Sequence, residues 1–390
     1  MTAEFRASVQ AFLRANDPGK GPKDPLEKLA FQRDWAALLV DQGFAAPSWP
    51  KQWGGMELSL ADQVTYHEEF AKVRRPAHPG PGIMVVGPAI IKYGTDDQRE
   101  RYLRPGLRGD IIWVQGFSEP DAGSDLPSLR TRAERVGDAY VVSGQKIWIT
   151  NARYADWLFA LVRTGSRESR QLGISYLLID VKSDGVTVRP LRDMTGGSSF
   201  CEIFLDNVRV PAENLVGEEN DGWRVARTSM GHERSTAGVA QGMKYRRIVD
   251  ELHQLARECG RSTDPLIRQR LAAIEVDVRL IALNNLRTLA SVVDGSEPGP
   301  VSSIGRLMFT EFEKRLHDLA VDITGAAMML DPKDSRSVQR GRWVTGFLAT
   351  RASTIGAGTA EIQRNTIAEQ VLGLPRDVTV DRPNQARSNQ

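Results

Sequence analysis

Cysteine is scarce: Cys201 and Cys259 are the two in 390 residues, far apart and with no second cysteine or histidine at ligand spacing. That excludes a disulfide framework and a structural zinc site, and it fits a reducing, cytoplasmic setting. Histidine is also rare. His67, His78, His232, His253 and His317 show neither HxxxH nor HxH spacing, so no metal is expected. No segment approaches the roughly twenty apolar residues of a membrane span. The opening stretch, MTAEFRASVQAFLRANDPGK, is charged throughout and is not built like a signal peptide. Neither sign of charge dominates: 51 lysines and arginines stand against 49 acids, which leaves no field to draw the whole chain onto nucleic acid or an anionic membrane. What is present is apolar substance, 41% of the residues, enough to bury a sizeable core in two or three domains or one composite unit.

The hydrophobic period changes twice along the chain. Residues 1–111 read as helical, with Ala30, Trp35, Leu38, Leu39 and Phe44 near helical spacing and Pro/Gly punctuation at 46–55 and 77–82. From residue 112 to 216 the period becomes two, in runs at 131–136, 139–144, 157–163, 174–181 and 201–210. Such short turns between strands predict a mostly antiparallel sheet or barrel. Helical spacing returns in 217–377, where Ile248, Leu252 and Leu255 stand at i, i+4 and i+7 and further segments cover 265–293, 301–329 and 360–373. Residues 378–390 read as a polar tail. The fold class is therefore α+β, mainly α: an N-terminal helical domain, a central antiparallel β domain and a C-terminal helical domain.

Two segments of the central domain carry candidate chemistry. In VQGFSEPDAGSD (Val114 to Asp125) glycines, hydroxyls and free amides cluster at a strand-to-loop junction. Such a loop can present donors to a polar cofactor, or it can be an ordinary Asp/Gly/Ser turn. In GQKIWITN (Gly144 to Asn151) a strand places Trp148 and Thr150 on one face. An indole beside a hydroxyl suits a planar heteroaromatic ring; a tryptophan anchoring the sheet core is the other reading.

SEPDAGSD followed by GQKIWITN at this separation resembles the paired flavin-binding signature of the acyl-CoA dehydrogenase family. YGTDDQRERYLRPGLRGD (Tyr93 to Asp110), FLDNVRVPAENLVGEENDGW (Phe204 to Trp223) and GTAEIQRNTIAEQVLGLPR (Gly358 to Arg376) extend the likeness over nearly the whole chain. The resemblance implies a C-terminal four-helix bundle, FAD as cofactor, an acyl-CoA thioester as substrate and an electron-transfer flavoprotein as acceptor. By position it also implies that Gln115, Phe117, Ser118, Gly123 and Ser124 line the flavin and its pyrophosphate, with Ser124 also near the CoA part of the substrate. Trp148, Ile149 and Thr150 would meet the isoalloxazine, and Gly358, Thr359 and Glu361 the phosphate-ribose region.

The reaction needs a carboxylate to take the α-proton. Most relatives place it just before the C-terminal GT dipeptide, where this chain has Ala357. A second family arrangement puts the base on the first long helix of the C-terminal domain, and there this chain reads Met230-Gly231-His232-Glu233-Arg234. Glu233 matches, and Ala226, Met230, Ala237 and Ala240 share its helical face. Arg234 is expected to orient the thioester or the flavin edge, with a surface salt bridge as the other possibility. Family homotetramers carry an Arg-Xaa-Thr-Phe-Gly segment that reaches a neighbour's flavin. This chain has Arg261-Ser262-Thr263-Asp264-Pro265 there, and Thr324-Gly325-Ala326-Ala327 in place of a later Gly-Gly pair. Both a homotetramer, with Arg261 or Arg268 standing in, and an α2β2 heterotetramer with a second dehydrogenase-like subunit follow. Two other functions stay open at this level: a flavin oxidase or monooxygenase on a non-CoA substrate, and a flavin-containing DNA binder. The tail, with Arg376, Arg382 and Arg387 among acids, supplies little charge for the latter.

Overall fold

The computed structural model describes residues 2–375 apart from 74, 81, 233–236, 294–298 and 333. The first five helices are α1 (Thr2–Ala15), α2 (Pro25–Asp41), α3 (Leu60–Lys72), α4 (Ile83–Tyr93) and α5 (Asp96–Arg108). Their starts follow local chemistry. Asp24 caps α2 by accepting the Leu26 and Glu27 amides at 2.9 and 3.1 Å, with Pro25 in the first turn. Thr95 and Gln98 close a reciprocal capping box on α5. Helix α4 is apolar on nearly every side because it is buried against α5 and against a later helix, α6 (Gly222–His232).

Seven strands follow: β1 (Trp113–Gly116), β2 (Arg132–Val136), β3 (Ala139–Thr150), β4 (Trp157–Arg163), β5 (Ile174–Asp180), β6 (Val186–Leu191) and β7 (Phe200–Pro211). They form one sheet in the order β1-β4-β2-β3-β7-β6, with β5 on β4. The ladders are antiparallel except β1 with β4 and the single β2–β4 pair, which are parallel. Side chains of β4 alternate between two cores. Phe159 and Leu161 join Tyr176, Ile83, Ile90 and Val225 under the helices, while Leu158, Ala160 and Val162 join Ile179, Ile203 and Val208 on the other face. Each fully buried Leu, Ile, Val or Phe among these contributes about 1.5–3 kcal/mol.

After α6 come α7 (Ala237–Glu258), α8 (Pro265–Val293), α9 (Ser302–Thr324), α10 (Arg342–Thr350) and α11 (Ala360–Thr366). Helices α7 to α10 pack together around Leu252, Leu255, Ile274, Val278, Phe312, Leu316 and Trp343, and α11 lies on α9. Polar clasps hold the layers together. The Gln98 side-chain amide donates to the Glu213 and Leu215 carbonyls at 2.6 and 2.8 Å. At the entry to α6, Thr164 and Ser175 bond each other and Asn220. No helix among the described residues is long and apolar enough to cross a membrane. The polar tail lies outside the described residues.

Candidate active site

The two central segments lie side by side. Ile147 N–H donates to the Ser118 carbonyl at 3.0 Å, which lays β3 against the loop that leaves β1. Beneath that contact Lys146, fully buried, donates from Nζ to the Phe117 carbonyl at 3.1 Å and to the Glu119 carboxylate at 2.8 Å. Glu119 also accepts the Arg130 and Thr131 amides at 2.6 and 2.8 Å. Burial pushes the Glu119 carboxyl upward, but the Lys146 charge and these hydrogen bonds outweigh it and hold it below the usual glutamate range. Burial likewise pushes the Lys146 ammonium down to about 8, against the pull of Glu119. At neutral pH the pair is an ionised, buried rivet between the segments. Neither residue was singled out by sequence; the available signal was a lysine at a core-facing position of an alternating strand.

A bulge turns Trp148 outward. Lys146 pairs with Ile203 and Ile149 with Cys201, so three residues on β3 span two on β7, and the extra residue is accommodated at Trp148 with φ +61°. Lys146 and Ile149 both face inward, while Trp148, 60% exposed, and Thr150 share the outer face. The indole meets Phe200 edge-on at 6.0 Å.

The remaining candidates divide into side chains and backbone. Gln115 is half-buried on β1 and Ser118 half-buried in the loop. Phe117 is buried, its ring edge-on to Phe159 at 5.8 Å and Tyr176 at 6.0 Å, and Ile149 is buried in the sheet core; both can offer a ligand only their backbone. Gly123 and Ser124 are exposed, and their amides donate no hydrogen bond among the described residues. A Cβ added at Gly123 would meet nothing within 4 Å, so packing does not demand glycine there.

The C-terminal candidates form a separate group. Ala357 and Gly358 take φ +51° and +91°. A Cβ on Gly358 would lie 2.5 Å from the Gln363 Nε2. Thr359 caps α11, its hydroxyl accepting the Ile362 amide at 3.2 Å. Glu361 is exposed and pairs with Arg364 at 3.5 Å. No hydrogen bond or ion pair among the described residues links this group to residues 115–124 or 148–150. Glu233 and Arg234 fall between α6 and α7, outside the described residues. Helix α6 itself is fixed by Tyr93, whose hydroxyl bonds the Thr228 hydroxyl at 3.0 Å. A surface cavity of about 380 Å³ opens among α1, α2 and α3 and touches none of these groups.

Three domain models of the acyl-CoA dehydrogenases match in order: N-terminal over residues 2–110, middle over 115–208 and C-terminal over 220–372. Acyl-CoA dehydrogenase IpdE1 of Mycolicibacterium smegmatis is 36% identical, covering 96% of this chain and 98% of its own. The protein of the same name from Mycobacterium tuberculosis is 37% identical with the same coverage. The chain belongs to the acyl-CoA dehydrogenase family. Among solved structures, the ChsE4-ChsE5 complex from Mycobacterium tuberculosis superposes with a TM-score of 0.81 at 30% identity, covering 96% of this dehydrogenase and 98% of that chain. The Tcur3481-Tcur3483 steroid acyl-CoA dehydrogenase gives 0.82 at 28%, with coverage of 96% and 98%.

The dehydrogenase is an oxidoreductase and a flavoprotein, with FAD as cofactor. Its own surface fits that group: an outward indole beside a Thr150 hydroxyl that makes no hydrogen bond among the described residues offers a platform for a flat ring, and the Gly123 and Ser124 amides, which donate none among those residues, suit an anionic linker.

Proposed function

We propose that the dehydrogenase removes two hydrogens from the α and β carbons of a CoA thioester, giving the 2-enoyl-CoA, with Glu233 as acceptor of the α-proton. The observation that carries this reading is the bulged strand of the second signature, riveted to the first, with Trp148 and Thr150 presented outward beside it. FAD, when bound, supplies the two-electron acceptor that takes the β-hydrogen as hydride. Trp148 and Thr150 position the ring system, the 123–124 amides receive the pyrophosphate, and Glu233 holds the proton until product leaves. Ala357 cannot serve as base, which concentrates the role on Glu233. The acyl group is proposed to be bulky and polycyclic: the structural relative Tcur3481-Tcur3483 is a steroid acyl-CoA dehydrogenase, and small Ala226, Ala237 and Ala240 share the Glu233 face in sequence. An electron-transfer flavoprotein is the proposed reoxidant, and the proposed setting is cytoplasmic.

The test is anaerobic mixing of the yellow protein with CoA thioesters of graded acyl bulk. Wild type should bleach with a bulky ester, and Glu233→Gln should bind the same ester yet reduce its flavin at least about a thousandfold more slowly. Bleaching at the wild-type rate in the variant would move the base elsewhere.

A further inference from the structure

Glu313, half-buried at the middle of α9, ties two other elements together. Its carboxylate accepts the Tyr245 hydroxyl of α7 at 2.8 Å and the Ser353 hydroxyl, from the connection between α10 and α11, at 2.7 Å. Hydrogen bonds with one ionised partner are the stronger sort. Gln241, one turn earlier on α7, donates from its side-chain amide to the Tyr245 oxygen at 3.2 Å. Tyr245 is buried, with its ring edge-on to Phe312 at 5.2 Å. Burial first and the Glu313 charge second push its phenol well above the ordinary value, so it stays the donor. Two turns before Glu313 on α9, Arg306 donates to the Ser353 carbonyl at 3.3 Å and to the Gly356 carbonyl. The turn held in this way is strained. Ala357 takes φ +51° with a side chain, a conformation that persists only where the surroundings over-determine it.

Ala357 brings no titratable group, so what its turn can supply is shape. The two positions from which a base acts in the family, filled here by Ala357 and Glu233, have to reach one α-carbon. Helix α7 begins at Ala237, four residues after Glu233. We propose that Glu313 is a positioning residue for α-proton removal: through Tyr245 and Ser353 it fixes the gap between the start of α7 and the 353–358 turn, and with it the approach of Glu233 to the ester. The inference rests on the reading of Glu233 as base. A carboxylate suits the task because its two oxygens accept from both elements at once, and a displacement of about 1 Å at a reacting group costs on the order of a hundredfold in rate.

Two measurements decide it. The first is anaerobic mixing of the FAD-loaded protein with a saturating CoA ester of a bulky polycyclic acid, which separates the rate constant of flavin bleaching from its amplitude. A merely structural role lowers the amplitude, the share of molecules able to react, and leaves the rate constant of the rest alone. Tyr245→Phe and Ser353→Ala each remove one oxygen and keep the packing. Each should slow bleaching about tenfold, with amplitude and ester affinity near wild type. Glu313→Ala should slow it further, and Glu313→Gln, which can keep both links as neutral hydrogen bonds, should recover most of the loss. Added to Glu233→Gln, Ser353→Ala should slow the residual rate no more. Wild-type rate constants in Tyr245→Phe and Ser353→Ala, or losses confined to amplitude, overturn the proposal. The second is hydrogen–deuterium exchange of the substrate-free protein. Tyr245→Phe should speed exchange of the 353–358 amides several-fold although Tyr245 lies on another helix, and unchanged exchange there overturns the proposal as well. Bleaching of Glu233→Gln at the wild-type rate would instead sink the base assignment, and the exchange measurement, which needs no turnover, would still decide whether Glu313 fixes the turn.

Discussion

At Trp148 two demands meet in one residue. Its backbone sits in the left-handed region at φ +61°, which costs a side-chain-bearing residue about 1–2 kcal/mol, and the residue is 60% exposed, its indole meeting the edge of Phe200. A tryptophan kept for packing would be buried and unstrained. Strain combined with exposure points to a ligand contact. Trp148→Gly should therefore leave urea stability unchanged or raise it by up to about 1 kcal/mol, since glycine relieves the strain and gives back part in chain entropy. FAD content, read from visible absorbance per polypeptide, should fall several-fold. A stability loss above about 2 kcal/mol with flavin retained would make the indole a structural anchor. The shared face of Trp148 and Thr150 was legible from alternation alone. The bulge was not, because nothing in the order of residues 146–149 announces that three will span two.

Between β3 and the 117–125 loop, the Glu119–Lys146 pair does for elements what a bond does for atoms. Both charges are buried, so removing one partner leaves the other with backbone hydrogen bonds but no opposite charge, a loss of about 3–5 kcal/mol. Glu119→Gln and Lys146→Met should each lower the urea midpoint by that order and lower FAD content, because the loop amides lose their register against Trp148. Combining Glu119→Leu with Lys146→Met should recover much of the stability. Glu119 binds its proton less readily in the folded chain than in the unfolded one. Its contribution is thus present above the ordinary glutamate range and is lost as pH falls through the lowered value. The gap between wild type and Glu119→Gln should persist at pH 5 and close only in stronger acid. Elements with a clean period were readable: α8 runs Pro265–Val293, matching its expected span. Those without one were missed or read only in outline. Strand β1, four residues long and largely buried, shows no alternation and was legible only as the strand side of the junction that starts at Val114. Strand β6 is a half-exposed edge carrying Pro190. Helix α10 starts after Gly341 in a left-handed conformation with no side-chain cap to mark it. The parallel β1–β4 pairing joins strands distant in sequence, which periodicity cannot report.

For the whole molecule, helix α8 presents two apolar faces. Ile274, Val278 and Ile281 are buried in the bundle, while Val276, Leu280 and Leu283, at i, i+4 and i+7, stand exposed. A stripe of that kind on one chain calls for a cover. Arg261, a candidate for reaching a neighbour's flavin, is instead engaged at home with Asp264 at 2.8 Å, where Asp264 caps α8. The chain thus carries an apolar face for an assembly to cover and lacks the family's cross-subunit arginine segment, so the contact to a neighbour's flavin falls either to Arg268 in four identical copies or to a second dehydrogenase-like subunit. In the second case the protein purified alone should be flavin-poor, and produced together with that subunit it should be yellow and of α2β2 mass. Leu280→Glu should drive the assembled form toward its 43.2 kDa protomer and release FAD with it, as light scattering and absorbance would record. A yellow homotetramer from the lone chain, unchanged by Leu280→Glu, would assign the flavin site to this sequence alone and leave the α8 stripe without a role in assembly.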